Sequence, residues 1–210
     1  MEIKFTDPIT LLKKTFLSKD TMSIFNKSKK NKKKNIFYFG LEPLKARYTY
    51  QLSKEWMPNA FKSYENSKIK FIDIEGKFDP DQQIKIGAVL DAVGRGKFAM
   101  SQCSNFLDML NNDEVKDGDV IFLQDYWHPG IESILYAIDL YGIKLDIYAM
   151  LHAQSVDEYD FTYPMKSWMR GFELGLDKRM TGIFVGSSIH KDQLRNAGFE
   201  SPIHVVSLPI

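Results

Sequence analysis

The stretch VIFLQDYWHPGIESILYAIDLYGIKLDIYAM, residues 120–150, holds one complete strand–helix–strand unit and decides the fold class. Two apolar runs, VIFL at 120–123 and LDIYAM at 145–150, have the length and composition of buried strands. Between them, Pro129 and Gly130 introduce a helix over 131–141, and Gly142 closes it. A strand, a crossover helix and a second strand are typical of a parallel sheet.

The same alternation extends along the chain in both directions. Four more apolar runs predict strands: IFYF at 36–39, IKFIDI at 69–74, GIFV at 182–185 and IHVV at 203–206. Asp79 and Pro80 are expected to open a helix that Gly94 and Gly96 end, and Ser188 is expected to cap a short helix that ends at Gly198. The sequence therefore predicts an α/β fold, a Rossmann-like open parallel sheet of about six strands with helices on both faces.

Composition limits the class of protein. The 210 residues read as one globular domain, and 28 basic against 27 acidic residues leave no overall field that would mark a nucleic-acid binder. Cys103 is the single cysteine of the sequence, which excludes an internal disulfide and favours a reducing compartment. No secretory signal is recognisable at the start, and charged residues interrupt the longest apolar region, so we expect a cytoplasmic protein.

Residues 1–35 differ from residues 36–210 and are treated as an amphipathic and lysine-rich extension of the main domain. Apolar residues at helical spacing are followed by NKSKKNKKKN at 26–35, which carries six lysines. One interpretation is a solvated connector. The other is an electrostatic patch for a phosphate backbone or an anionic membrane surface, with the amphipathic segment as its anchor. The sequence does not separate the two.

Ligands of open parallel sheets bind beyond the carboxyl ends of the strands, so the residues after each strand are the candidates for a site. Gly40 follows the first strand and would allow a ligand to approach the backbone, and Lys45 and Arg47 are either cations for an anionic ligand or solvated charges. This loop lacks the G-x-G-x-x-G spacing and a P-loop Lys-Ser pair, which argues against NAD, FAD or ATP in their usual positions.

Polar and aromatic residues follow the third and fourth predicted strands. They are Asp125, Tyr126, Trp127 and His128 after one strand, and His152 and Gln154 after the next. If these strands are neighbours, both histidines and the carboxylate converge on one cleft. Alternatively, His128 stabilises its own loop, Asp125 caps the turn before Pro129, and His152 is a core residue. No closely spaced ligand set accompanies the histidines, so no metal site is expected.

Three segments, IFYFGLEPLKARYTYQLSKEW at 36–56, YAMLHAQS at 148–155 and GIFVGSSIHKDQLRNAGF at 182–199, resemble the N-terminal half of a glycosyltransferase of the GT-B fold. The resemblance is to retaining, family-four-like members. It implies transfer of a sugar from a nucleotide-sugar donor to a hydroxyl acceptor without a metal or other cofactor. His152 would lie at the reaction centre, Gly40, Lys45 and Arg47 beside the donor diphosphate, and Asp125, Tyr126, Trp127, His128 and Gln154 on the acceptor side.

The resemblance also implies a second, C-terminal Rossmann-like domain, in the same chain or another, that holds most of the donor and completes the enzyme. The single-glycine loop departs from the family pattern. RYTYQL and the lysine-rich segment look similar to glycosyltransferases of tailed bacteriophages, some of which modify hydroxymethylated DNA bases in the host cytoplasm. A modified DNA and a lipid-linked or polysaccharide acceptor both fit the sequence. The alternative function is a non-catalytic Rossmann-like module that binds a nucleotide or a sugar phosphate.

Overall fold

The computed structural model describes residues 33–45, 47–65, 68–78 and 91–206, and it contains a six-stranded, all-parallel sheet in this part of the chain. The strands are β1 (Lys34–Phe39), β2 (Ile69–Asp73), β3 (Val120–Leu123), β4 (Asp146–Met150), β5 (Gly182–Val185) and β6 (Ile203–Val205). Their order in the sheet is β2-β1-β3-β4-β5-β6. The predicted Rossmann-like open sheet of six strands is confirmed, and β3 and β4 are indeed neighbours.

Helical segments connect the strands. Between β1 and β2 lie α1 (Tyr48–Gln51), one π-helical turn (Leu52–Trp56) and α2 (Met57–Lys62). The later helices are α3 (Ala92–Asn111), α4 (Ile131–Leu140), α5 (Lys166–Asp177) and α6 (Ser188–Asn196), with short 3-10 turns at Gln154–Val156 and Tyr163–Met165. No helix among the described residues is both long and apolar enough to cross a bilayer.

The side chains of successive strand residues point to opposite faces of the sheet, and each face has its own buried core. Phe37 and Phe39 of β1 pack in one core with residues of α3, α4 and α6, whereas Ile36 and Tyr38 pack in the other with residues of the π-helical turn and α2. Helices therefore cover both faces, which explains why the strands are apolar at almost every position.

The predicted end of a helix at Gly94 and Gly96 is wrong. Asp91 is the N-cap of α3, where its carboxylate accepts hydrogen bonds from the amides of Val93 and Gly94, and the helix continues through both glycines. The cap and the buried residues that follow offset the cost of glycine in a helix, about 1 kcal/mol each. The predicted opening of that helix, at Asp79 and Pro80, lies outside the described residues.

Two further helix boundaries were predicted from caps. Helix α4 begins at Ile131, and Gly142 adopts a left-handed φ of 67° just after it, as the sequence predicts. Helix α6 is capped by Ser187 and not by Ser188, because the Ser187 hydroxyl accepts the hydrogen bond from the amide of His190 at 3.1 Å. Ser188 is the first helical residue.

Candidate functional site

The crevice of interest lies at the carboxyl ends of β1 and β3. These strands are adjacent, yet the chain leaves β1 toward β2 on one side and returns to β3 on the other. Loops on the two sides of such a topological switch point diverge, so a crevice for a ligand is expected at the strand ends. Phe39 and Leu123 are paired in register, so the loops that begin at Gly40 and Gln124 start side by side.

A network of charged side chains spans this crevice. Glu42 follows β1 and is almost fully buried, with Nη1 of Arg47 at 3.2 Å from one carboxylate oxygen and Nη1 of Arg95 at 3.6 Å from the other. Arg95 comes from the first turn of α3, and its Nη2 lies 3.8 Å from a carboxylate oxygen of Asp125. Gln154 completes the network by donating a hydrogen bond of 2.7 Å to the other oxygen of Asp125.

Several polar atoms of this network lack hydrogen-bond partners within the described structure. Arg95 is 8 % exposed, and both of its terminal nitrogens are buried without a hydrogen bond, because the ion-pair distances above exceed normal hydrogen-bond lengths. The second carboxylate oxygen of Glu42 and the side-chain amide nitrogen of Gln124 are also buried without a hydrogen bond. A buried polar group without a hydrogen bond costs about 1–3 kcal/mol, and this cluster is therefore the candidate site for a polar ligand.

Gln124 fixes the floor of the crevice. Its side-chain oxygen accepts three hydrogen bonds, from the Tyr38 hydroxyl at 2.6 Å, the Ser53 hydroxyl at 2.7 Å and the Leu41 amide at 3.0 Å. A backbone amide can only donate, so this oxygen assignment is determined by Leu41 and the unpartnered atom is the amide nitrogen.

The π-helical turn brings Ser53 to this position. Pro58 has no amide hydrogen that could donate to a carbonyl of the preceding turn. The wider π-helical turn at 52–56 accommodates this missing donor. This turn places the Ser53 hydroxyl within hydrogen-bond distance of the Gln124 side chain.

His152 lies at the end of β4 beside Gln124. Its Nε2 is 3.0 Å from the backbone carbonyl oxygen of Gln124, and a carbonyl only accepts, so Nε2 carries the hydrogen. In the neutral ring, Nδ1 is then an acceptor. The side chain is half-buried, which places His152 at the border between the core and the crevice.

His190 is a second histidine at this edge, and the sequence reasoning missed it. It lies in the first turn of α6, and its Nε2 is buried without a hydrogen bond in the described structure. Burial lowers the pKa of His190, a backbone hydrogen bond with Ala153 opposes that shift, and the neighbouring His152 adds to it. The available signal was its position three residues after the cap at the end of β5.

The loop after β4 is held by a buried carboxylate that sequence reasoning also missed. Glu173 of α5 is fully buried and accepts hydrogen bonds from the amide and the hydroxyl of Ser155. Arg170 donates to the Ser155 carbonyl at 2.8 Å and lies 3.4 Å from Glu173. This clamp positions Gln154, which has a left-handed φ of 56°.

The aromatic and histidine residues after β3 divide between core and surface. Tyr126 is fully buried, and its hydroxyl donates to the Glu173 carbonyl at 2.6 Å. His128 is fully buried against the ring of Phe39; burial and then the charge of Arg95 lower its pKa. Only Trp127 is partly accessible, at 6.2 Å from the ring of Trp168. The acceptor-side roles of these residues stay predictions.

The donor-side residues are near one another but differ in surroundings. A Cβ at Gly40 would lie 3.1 Å from the Tyr38 ring and 3.5 Å from Gln124, so protein atoms fill the space beside this glycine. Arg47 donates a hydrogen bond to the carboxylate of Glu42, whereas Lys45 is exposed. Their contact with a diphosphate stays a prediction.

The chemistry available here is polar recognition with a histidine pair. Within residues 33–45, 47–65, 68–78 and 91–206, no group of three or more histidine, cysteine, aspartate or glutamate side chains is arranged to hold a metal ion.

Comparison of the chain with protein-family models and with curated protein sequences finds no match in either.

Proposed function

We propose that the chain is the acceptor-side domain of a glycosyltransferase that moves a sugar from a nucleotide-sugar donor to a hydroxyl acceptor, with a second Rossmann-like domain supplying most of the donor site. The observation that carries the proposal is the set of unpartnered polar atoms at the switch point between β1 and β3. The resemblance of the three segments in the sequence adds to it.

The unpartnered atoms are of both kinds. Arg95 and the Gln124 amide nitrogen are donors, whereas the second carboxylate oxygen of Glu42 is an acceptor. A phosphate or carboxylate can bond only to the donors, because it has no hydrogen to donate to Glu42. A sugar hydroxyl donates one hydrogen bond and accepts others, so a hydroxyl-rich molecule satisfies the whole set. Asp125 adds a half-buried carboxylate to the same surface.

His152 is proposed as the residue nearest the reacting hydroxyl. Its Nε2 is engaged by Gln124, which leaves Nδ1 as the atom that receives or returns a hydrogen bond. Lys45 and Arg47 are proposed to offset donor charge at the rim, and the acceptor, a modified DNA base or a lipid-linked or polysaccharide hydroxyl, is proposed to enter over Asp125, Trp127 and Gln154.

The proposal is tested by following backbone amides of the isotope-labelled protein by NMR during titration with free hexoses and short oligosaccharides. We expect shifts confined to the loops at 40–47, 124–128 and 152–155. Asp125→Asn should weaken the interaction about tenfold, since a hydrogen bond to a charged group contributes about 1.5–3 kcal/mol. Asp139→Asn on α4, which alters the exposed ion pair of Asp139 with Arg179, is the matched control and should leave affinity unchanged.

Titration with uridine diphosphate glucose separates the two candidate functions. A glycosyltransferase acceptor domain should bind it weakly. Micromolar binding of the nucleotide sugar to this chain, with no response to free sugars, would contradict the proposal and favour a nucleotide- or sugar-phosphate-binding module.

A further inference from the structure

The opposite edge of the sheet, at the amino ends of β1 and β2, contains a second feature that the proposed function does not use. A hollow of about 510 Å³ is lined there by Lys33, Lys34, Asn35, Glu65, Lys68, Ile69 and Lys70. Strand pairing creates it, since the Lys34 amide bonds the Lys68 carbonyl at 2.7 Å and Asn35 is in register with Lys70. Lysines far apart in sequence thus meet along one concave surface.

The described lining of this hollow is positive although the whole chain is nearly neutral. Its four lysines against one glutamate give a formal charge of 4 − 1 = +3, and Asp146, which pairs with Lys34, lowers it to 3 − 1 = +2, compared with +1 for all 210 residues. Glu65 is held at the side by the Phe71 amide at 2.7 Å, and Lys34 is tied to Asp146 at 3.0 Å. Within the described structure, the exposed side chains of Lys33 and Lys70 form no ion pair.

We infer that this lysine-lined hollow binds the phosphodiester backbone of a nucleic acid. DNA carries one negative charge per about 1.7 Å of duplex, and each lysine–phosphate contact releases condensed counterions, which makes several exposed lysines effective together. The positive charge is local to this hollow. An adjoining hollow of about 840 Å³ shares Lys33 but has Asp113 and Asp117 against Lys33 and Lys116, so its lining is balanced.

The lining favours a nucleic acid over a membrane surface. Membrane-surface binding combines basic residues with inserted apolar side chains such as Trp, Phe or Leu. Among the described residues of the lining, Ile69 is the single apolar one, and it is half-buried between two lysines. A concave surface also fits a strand backbone better than a flat bilayer. The inference stands independently of the function proposed for the carboxyl edge.

The test is fluorescence anisotropy of a labelled 20-nucleotide single-stranded DNA and of its duplex with the 210-residue protein over a salt series. We expect log Kd to rise linearly with log salt. The double variant Lys33→Glu with Lys70→Glu should bind at least about tenfold more weakly and reduce the salt slope by about 1.4 for single-stranded DNA and about 1.8 for the duplex, the values for losing two phosphate contacts.

The matched control is Lys97→Glu with Lys191→Glu, which makes the same change in charge in the second turn of α3 and the first turn of α6. It should stay within about threefold of the unaltered protein. Equal weakening in both double variants, or a larger effect in the control, would overturn the inference, as would binding to vesicles of anionic phospholipid without binding to DNA. Circular dichroism checks the fold, and Lys33→Glu against Lys97→Glu replaces the comparison if a double variant does not fold.

Discussion

Polar residues at the carboxyl edge of the sheet are of two kinds, and hydrogen bonding distinguishes them. Tyr126 and Ser155 are buried with partners supplied by Glu173, so their burial stabilises the loops that carry them. Arg95 and the amide nitrogen of Gln124 are buried without such partners. The buried groups with hydrogen bonds hold the loops in place, whereas the groups without them are the ones that the proposed ligand would contact.

Cys103 provides a prediction about a single side chain. It is buried in α3, and burial, with a smaller contribution from Glu132, raises its pKa to about 12. Because only the thiolate reacts, alkylation at pH 8 should be slower than in 6 M guanidinium chloride by about three orders of magnitude, the difference in thiolate fraction from an ordinary thiol with a pKa of about 8.5. The rate of iodoacetamide labelling measures this. Comparable rates in the two conditions would contradict the burial of Cys103.

At the scale of elements, α3 determines the geometry of the crevice. Its first turn carries Arg95, whose backbone amide bonds the Asp91 carbonyl at 2.8 Å, and the Asp91 carboxylate caps the helix. The sequence contains two aspartates suited to open a helix in this region, Asp79 before a proline and Asp91 before two glycines. Glycine is a poor helix former, so the sequence pattern favours ending a helix where the structure begins one.

Removal of this cap tests its contribution to stability and to the site. Asp91→Ala should lower the free energy of unfolding by about 1 kcal/mol, because the amides of Val93 and Gly94 lose their acceptor. Asp108→Ala, at an exposed position in the last turn of the same helix, is the matched control and should be neutral or slightly stabilising, since alanine is the better helix former. Urea unfolding measures both. Equal destabilisation of the two variants would show that the cap contributes nothing.

At the scale of the whole molecule, the sequence predicted the strands well, but it indicated only some of the side chains that meet at the carboxyl ends of β1 and β3. Short apolar runs located six strands, and the contact between the loops after β3 and β4 follows once these two strands are neighbours. The strand order that creates the switch point depends on which strands pair, and local patterns do not encode pairing. Glu42 and Arg95 were missed for this reason, because each is unremarkable in its own segment and meets the other only in the folded chain.

The burial of His128 and His190 also depends on which elements meet in the folded chain. Their effect on stability is therefore a property of the whole fold. Burial lowers the pKa of His128 well below the ordinary value of about 6.5 that applies to the unfolded chain. Between these two values the unfolded chain binds a proton that the folded protein does not. The contribution of neutral His128 to the free energy of unfolding is therefore fully present above pH 6.5 and is lost as the pH falls below 6.5.

The free energy of unfolding should consequently fall by about 1 kcal/mol from His128 alone between pH 6.5 and pH 5.5, with a further decrease from His190, whose pKa is also lowered. Urea unfolding at pH 7.5, 6.5 and 5.5 measures the dependence. His128→Phe replaces the ring by one that does not titrate and that packs against Phe39, so its stability should fall less steeply over the lower interval. Identical pH dependence in the variant and the unaltered protein would mean that His128 is protonated as readily in the fold as in the unfolded chain, and its place in the core would have to be abandoned.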